Sequence, residues 1–139
     1  MQAGKDDSQQ LMDAVLPLAE KFLIESGEFF PYGGAMTASG EIVSVAAYDG
    51  DDHPPSSELI DLLNQAFSSA ATKKEYKATA LVYSVRIQLA DGEPSDAIAI
   101  NLDHQSGYSV VVLLPYAKNN GVLEFGEITA QAGEAKVFQ

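Results

Sequence analysis

The chain contains no cysteine and few basic residues. The absence of cysteine excludes disulfide bonds, thiolate metal sites and a cysteine nucleophile. Only 8 lysine and arginine residues stand against 20 aspartate and glutamate residues, which gives a formal net charge of −12. Because the few basic residues are scattered, we expect neither nucleic acid nor an anionic membrane surface as a partner. The charge favours a basic protein partner.

Long apolar segments are also absent. The longest apolar runs, such as Tyr108 to Tyr116, have the length of a strand and fall short of the roughly 20 residues that span a bilayer. Residues 1–10 are polar and lack the hydrophobic stretch of a signal peptide, so we predict a cytoplasmic protein. With no cysteine, and with both histidines in predicted turns, we expect no metal site and no cofactor in the folded protein.

The length of 139 residues suits one hydrophobic core, and we predict a single domain over 1–139 with a disordered tail at 1–7. Two segments have helical periodicity. The first has an N-cap at Ser8 and a stop at Gly27, and Pro17 inside it predicts a kink or a later helix start. The second is capped by Ser56 or its neighbour and extends to about Ala71.

Alternating apolar and polar residues predict five to six strands. Gly33 and Gly34 within the first of them indicate a bulge or a close approach of another backbone. In the strand that starts at Thr79, we predict that Leu81 and the alternate residues after it face the core and that the other face is mostly polar. The strand segments are 29–37, 41–48, 79–89, 98–102, 108–116 and 122–130.

This order, α-β-β-α-β-β-β-β, favours an α+β fold in which two helices pack on one face of an antiparallel sheet. The apolar positions of the helices and of the central strands supply the core. The residues expected to be buried are Phe22, Leu63, Phe67, Val85, Ile100 and Val112.

The densest polar cluster is the segment that precedes the second helix. Asp49, Asp51 and Asp52 lie beside His53, and such a group could hold a divalent cation. The spacing does not match an EF-hand, and a solvated loop before a helix N-terminus explains the acids better. We therefore interpret the three aspartates as a binding surface for a basic partner rather than as a metal site.

Two other polar positions are candidates for chemistry. Asp103 and His104 could act as acid and base, although adjacent strand residues point to opposite faces and turn polarity also explains them. Arg86 is the only arginine and could receive a ligand carboxylate. An ion pair with Asp103 or Glu127 on a neighbouring strand is the structural alternative.

Two functions follow from these residues. The favoured hypothesis is a non-enzymatic, acidic protein-binding module of the adaptor or immunity type, because no Gly-x-Ser-x-Gly elbow or other catalytic grouping is present. The alternative is a small-molecule site or weak hydrolase, which requires several polar side chains to meet in one pocket. Those side chains are Tyr32, Arg86, Asp103, His104, Tyr116 and Glu127.

Several short segments together resemble a family of small bacterial proteins. They are FFPYGG at 29–34, DAI at 96–98 continuing to DH at 103–104, PY at 115–116 and FGE at 125–127. The resemblance covers about residues 28–138 and implies a bacterial single-domain protein, without implying an activity. The family has Glu before the histidine where this chain has Asp103, a departure that argues against a catalytic role at that position.

Overall fold

The computed structural model describes residues 2–27, 29–45, 56–89, 91–133 and 137–138. Within these ranges the chain forms two helices and seven strands, so the predicted α+β class and the order of elements are confirmed. The last predicted strand is divided in two. The elements are α1 Gln2–Ser26, β1 Tyr32–Thr37, β2 Ile42–Val45, α2 Ser56–Thr72, β3 Tyr76–Gln88, β4 Pro94–His104, β5 Ser109–Asn119, β6 Val122–Phe125 and β7 Thr129–Ala132.

Helix α1 begins at Gln2 and not at Ser8, so residues 2–7 are helical where a disordered tail was predicted. Contacts with the end of β4 account for the difference, because Asp7 forms a hydrogen bond with His104, the last residue of that strand. Such long-range contacts outweigh the local N-cap preference of Ser8. The helix ends as predicted at Gly27, whose positive φ of 77° accompanies a hydrogen bond from its N–H to Leu23 O.

Helix α1 continues through Pro17, and a side chain from β1 contacts the helix backbone in this region. The hydroxyl of Tyr32 donates to Val15 O at 2.5 Å and accepts a hydrogen bond from the Ala19 N–H. It therefore contacts a carbonyl and an N–H group that lie four residues apart in the helix. Burial is the main cause that raises the pKa of Tyr32 to about 12.

Replacing Tyr32 with phenylalanine is expected to lower the free energy of unfolding by about 1 to 3 kcal/mol, because the hydrogen bonds of the hydroxyl with Val15 O and with the Ala19 N–H are lost. Because its pKa is raised, the contribution of Tyr32 to stability depends on pH. Since the folded state holds the phenolic proton more tightly than the unfolded state, the contribution of Tyr32 is present below pH 10 and is lost as the pH rises toward 12. Urea unfolding at several pH values should show a smaller alkaline loss in Tyr32→Phe than in the unmodified protein. Equal losses would contradict this assignment.

The strands form one antiparallel sheet in the order β2-β1-β3-β4-β5-β6, and β7 pairs with β5 next to β6. The register changes by one residue between the two pairings, since Tyr116 lies opposite Phe125 whereas Leu113 lies opposite Thr129. Pro115 lies at this break and has no N–H to donate on the side of β6 and β7. The missing donor explains why the predicted strand 122–130 bulges between Phe125 and Thr129.

The two helices lie on opposite faces of the sheet, so the prediction that both pack on one face was wrong. A Cβ built on Gly33 would lie 2.5 Å from Cζ of Phe67 in α2, and one built on Gly34 would collide with Val15 in α1. Adjacent strand residues point to opposite faces, which places one helix on each side. The glycine pair thus makes room for a helix side chain on each face, whereas the sequence predicted a bulge or the close approach of another backbone.

The larger core lies between α1 and the sheet. Ala80 and Val82 of β3 face this core, whereas Leu81 faces α2. The sequence assignment of the core to the Leu81 side alone was therefore wrong, because β3 is covered on both faces in its first half. Four of the six expected core residues are buried, namely Leu63, Phe67, Ile100 and Val112, whereas Phe22 and Val85 are half-buried.

Candidate functional site

The sequence-predicted site residues do not meet in one pocket. Tyr32 is buried beneath α1, with its hydroxyl used by the helix backbone. Arg86 and His104 lie at opposite ends of the β3–β4 ladder, because His104 pairs with Ala78 and Arg86 pairs with Asp96. Eight residues of β3 therefore separate them, a distance of roughly 26 Å. The acidic segment with Asp49, Asp51 and Asp52 lies outside the described residues.

Arg86 forms an ion pair, but with a partner that differs from the two candidates. Its guanidinium donates to Asp96 Oδ1 at 3.3 Å, and both side chains are more than half exposed. The strand register places Asp96 directly opposite Arg86, whereas Asp103 lies further along β4. An exposed pair of this kind contributes at most about 1 kcal/mol to stability. On the same face, the hydroxyls of Tyr116 and Ser84 lie 3.4 Å apart.

Asp103 and His104 point to opposite faces of β4, in keeping with their positions as strand neighbours. Asp103 is half-buried and accepts a hydrogen bond from the Ser109 hydroxyl at 2.7 Å. Burial raises the pKa of Asp103, and the bond from Ser109 partly offsets this rise. His104 is buried on the α1 side of the sheet. The two residues therefore take part in separate interactions.

His104 connects helix α1 to the turn that follows β4. Its Nδ1 accepts the backbone N–H of Ser106 at 3.0 Å and lies 2.9 Å from the hydroxyl of that serine. Nε2 must then carry the proton, and it donates to Asp7 Oδ2 at 2.8 Å. The Lys77 ammonium lies 3.5 Å from the same carboxylate oxygen. The bond from His104 is the main cause that lowers the pKa of Asp7, so this contact loses its stabilising effect as the pH falls through that pKa.

The aspartate, histidine and serine have the composition of a catalytic triad, but their geometry favours a structural role. The Nδ1 lone pair of His104 is already directed at the Ser106 N–H, so it is a poor base for the serine hydroxyl. A Cβ built on Gly4 would lie 2.5 Å from Ser106 Oγ, which means that the backbone of α1 closes that side of the hydroxyl. The cluster fastens the first turns of α1 to the sheet. Nothing local in the sequence links Asp7 to His104, since 97 positions separate them.

A wide groove is the strongest candidate for a functional site. It measures about 640 Å³ and lies on the α2 side of the sheet, beyond the part that α2 covers. Side chains from β3, β5, β6 and the connecting turns line it. We call it the acidic groove, and its main lining residues are Ile87, Leu89, Asp91, Leu113, Pro115, Glu124, Phe125 and Glu127.

The acidic groove combines an apolar floor with a negative rim. Leu89 is exposed within it, Ile87 and Leu113 are half-buried, and Pro115 is buried at its base. Its carboxylates come from Asp91, Glu124 and Glu127, and among the described residues that line it none is a lysine or arginine. The rim therefore attracts positive charge, and the floor offers apolar contact area.

Two of the sequence-predicted site residues, Tyr116 and Glu127, line this groove. Sequence reasoning missed Asp91 and Glu124, because each looks like an ordinary turn or edge-strand charge by itself. Only the strand register shows that these two residues lie close together, because it brings the turn after β3 near the strand pair β5–β6.

In the described ranges, no three His, Asp or Glu side chains are grouped so that they could hold a metal ion. Neither helix, in the part of the chain that the structure describes, is both long and apolar enough to cross a membrane. Comparison of the chain with family models, with curated proteins and with solved structures gives no match.

Proposed function

We propose that this protein is a non-enzymatic binding module that captures a basic segment of a partner protein in the acidic groove. The observation that carries the proposal is the groove itself, in which three carboxylates surround an apolar floor. A partner segment with apolar side chains between lysine or arginine residues would match both features.

The two parts of the groove have different roles in this proposal. The side chains of Ile87, Leu89 and Leu113 supply contact area that loses water when a partner binds, and this burial provides most of the affinity. The carboxylates raise the local concentration of a positive partner and fix its orientation. The overall charge of −12 extends the attraction beyond the groove.

The alternative small-molecule site or weak hydrolase has less support. It requires Tyr32, Arg86 and His104 to converge, and these residues lie beneath α1 and at two distant ends of the sheet. The acidic segment at 49–52 remains a second predicted contact surface for the same basic partner, and it lies outside the described residues.

A synthetic peptide with two leucines flanked by lysines tests the proposal. We expect it to shift the backbone amide resonances of Leu89, Leu113 and Phe125, and we expect a peptide with glutamate in place of lysine to bind much more weakly. The triple variant Asp91→Asn, Glu124→Gln, Glu127→Gln should slow association with the lysine peptide by about tenfold at low salt. Its salt dependence should also be flatter, because fewer charges attract the peptide.

A matched variant separates the groove from the general charge. Glu25→Gln, Glu41→Gln, Glu75→Gln removes the same number of negative charges from exposed positions that do not line the groove. It should slow association far less than the groove variant. If both variants slow association equally, or if the glutamate peptide binds as tightly as the lysine peptide, the proposal is wrong.

A further inference from the structure

A second cavity lies on the other face of the sheet, between α1 and strands β4, β5 and β7. Its volume is about 240 Å³, somewhat below the roughly 300–1,000 Å³ of sites for drug-sized ligands. Met12, Leu102 and Val112 are buried in its walls, and Val110 is half-buried there. The cavity therefore suits a small molecule with a short hydrocarbon part.

The cavity wall includes a polar group that lacks a partner. Ser8 is 1% exposed, and its hydroxyl has no hydrogen-bond partner among the described residues. A buried hydroxyl without a partner is costly, and native structures rarely leave one without a reason. Ser8 also lines the cavity. The hydroxyl is thus available to donate to a ligand.

A positive charge lies on the same face of the helix. Lys5 lines the cavity three residues before Ser8, so their side chains are neighbours on α1. In the described part of the chain, the lining residues include no aspartate or glutamate, although acids outnumber bases 20 to 8 in the sequence. The charge at this cavity is therefore opposite in sign to that of the acidic groove.

We propose that this cavity is a binding site for a small aliphatic carboxylate. The hydrocarbon chain lies between Met12 and the valines of β5, away from water. The carboxylate lies at the helix, where it accepts a hydrogen bond from the Ser8 hydroxyl and pairs with the Lys5 ammonium. The unpartnered hydroxyl of Ser8 then has a partner. This site is distinct from the acidic groove, and Thr129 is, among the described residues, the one that lines both.

Three ligands with the same six-carbon chain test the proposal: hexanoate, hexan-1-ol and hexylammonium. In an NMR titration, hexanoate should give saturable shifts of the methyl groups of Leu102, Val110 and Val112. Its affinity should exceed that of hexylammonium by about tenfold, because Lys5 attracts the one and repels the other. Lys5→Gln should weaken hexanoate binding by roughly three- to tenfold and leave hexan-1-ol binding unchanged.

Further variants exclude indirect effects. Lys21→Gln removes the same charge from an exposed position of α1 that does not line the cavity, and it should not change hexanoate binding. Ser8→Ala should weaken hexanoate binding without lowering thermal stability, since it removes a hydroxyl that has no partner. Ala130→Leu, at an exposed edge-strand position of the wall, should block binding of hexanoate and hexan-1-ol alike. The proposal fails if hexanoate gives no saturable shifts, if hexylammonium binds equally well, or if Ser8→Ala leaves hexanoate affinity unchanged.

Discussion

Replacing Phe67 with alanine is expected to lower the free energy of unfolding by about 3 to 5 kcal/mol. The Phe67 side chain is 1% exposed and packs between α2 and the sheet, next to Leu63 and Leu81. The cavity left by the ring cannot close easily, because Gly33 beneath it has no side chain to move into the space. Hydrogen bonds to β2 and β3 on both sides also hold β1 in place. Urea unfolding monitored by circular dichroism measures the loss.

A control on the same helix separates this cavity from any effect on helix propensity. Leu62 is 37% exposed, and Leu62→Ala should cost less than about 1 kcal/mol. A loss of less than about 1 kcal/mol in Phe67→Ala would contradict the packing of α2 described above.

The type and order of the elements could be predicted from the sequence, because helices and strands have different apolar periods. The face on which each helix packs could not be predicted from the periods. A clue was nevertheless present in β3, where Ala80, Leu81 and Val82 form a continuous apolar run. Such a run is typical of a strand that is buried on both faces, and it implies a helix on each side.

The interactions of the polar residues depend on register and on distant segments. The turn at 91–93 sets the β3–β4 register and thereby places Asp96, rather than Asp103, opposite Arg86. The partner of His104 comes from the start of the chain, where the sequence suggested a disordered tail. Neither pairing leaves a local pattern, so sequence reasoning could identify candidate residues but not their partners.

The position of the acidic groove also could not be predicted from the sequence, for a physical reason. Its apolar floor exists because α2 covers only the first part of β3, and its edge exists because Pro115 interrupts the last strand pair. Both causes are visible only after the strands are paired. The net charge of −12 predicts a positively charged partner, while the position of the proposed binding surface depends on the fold.

Replacing Gly33 with valine is expected to lower the free energy of unfolding by about 3 kcal/mol or more. The first added atom would lie 2.5 Å from Cζ of Phe67 and 2.9 Å from the backbone oxygen of Ala80. The ring can shift, but the carbonyl belongs to the β1–β3 ladder and cannot move without breaking pairing. Valine itself favours a strand, so the loss measures the collision and not an unfavourable backbone preference.

A double-mutant cycle with Phe67→Ala shows whether the two residues share one space. In the double variant the valine occupies part of the volume that the ring leaves, so the combined loss should be smaller than the sum of the single losses by at least about 1 kcal/mol. The rescue should be partial, because the contact with Ala80 O remains. Gly34→Val combined with Phe67→Ala is the matched control. Since Gly34 faces Val15 of α1 on the other side of the sheet, its loss should add to that of Phe67→Ala. Simple additivity in the Gly33 cycle, or equal coupling in both cycles, would contradict the placement of the two helices on opposite faces.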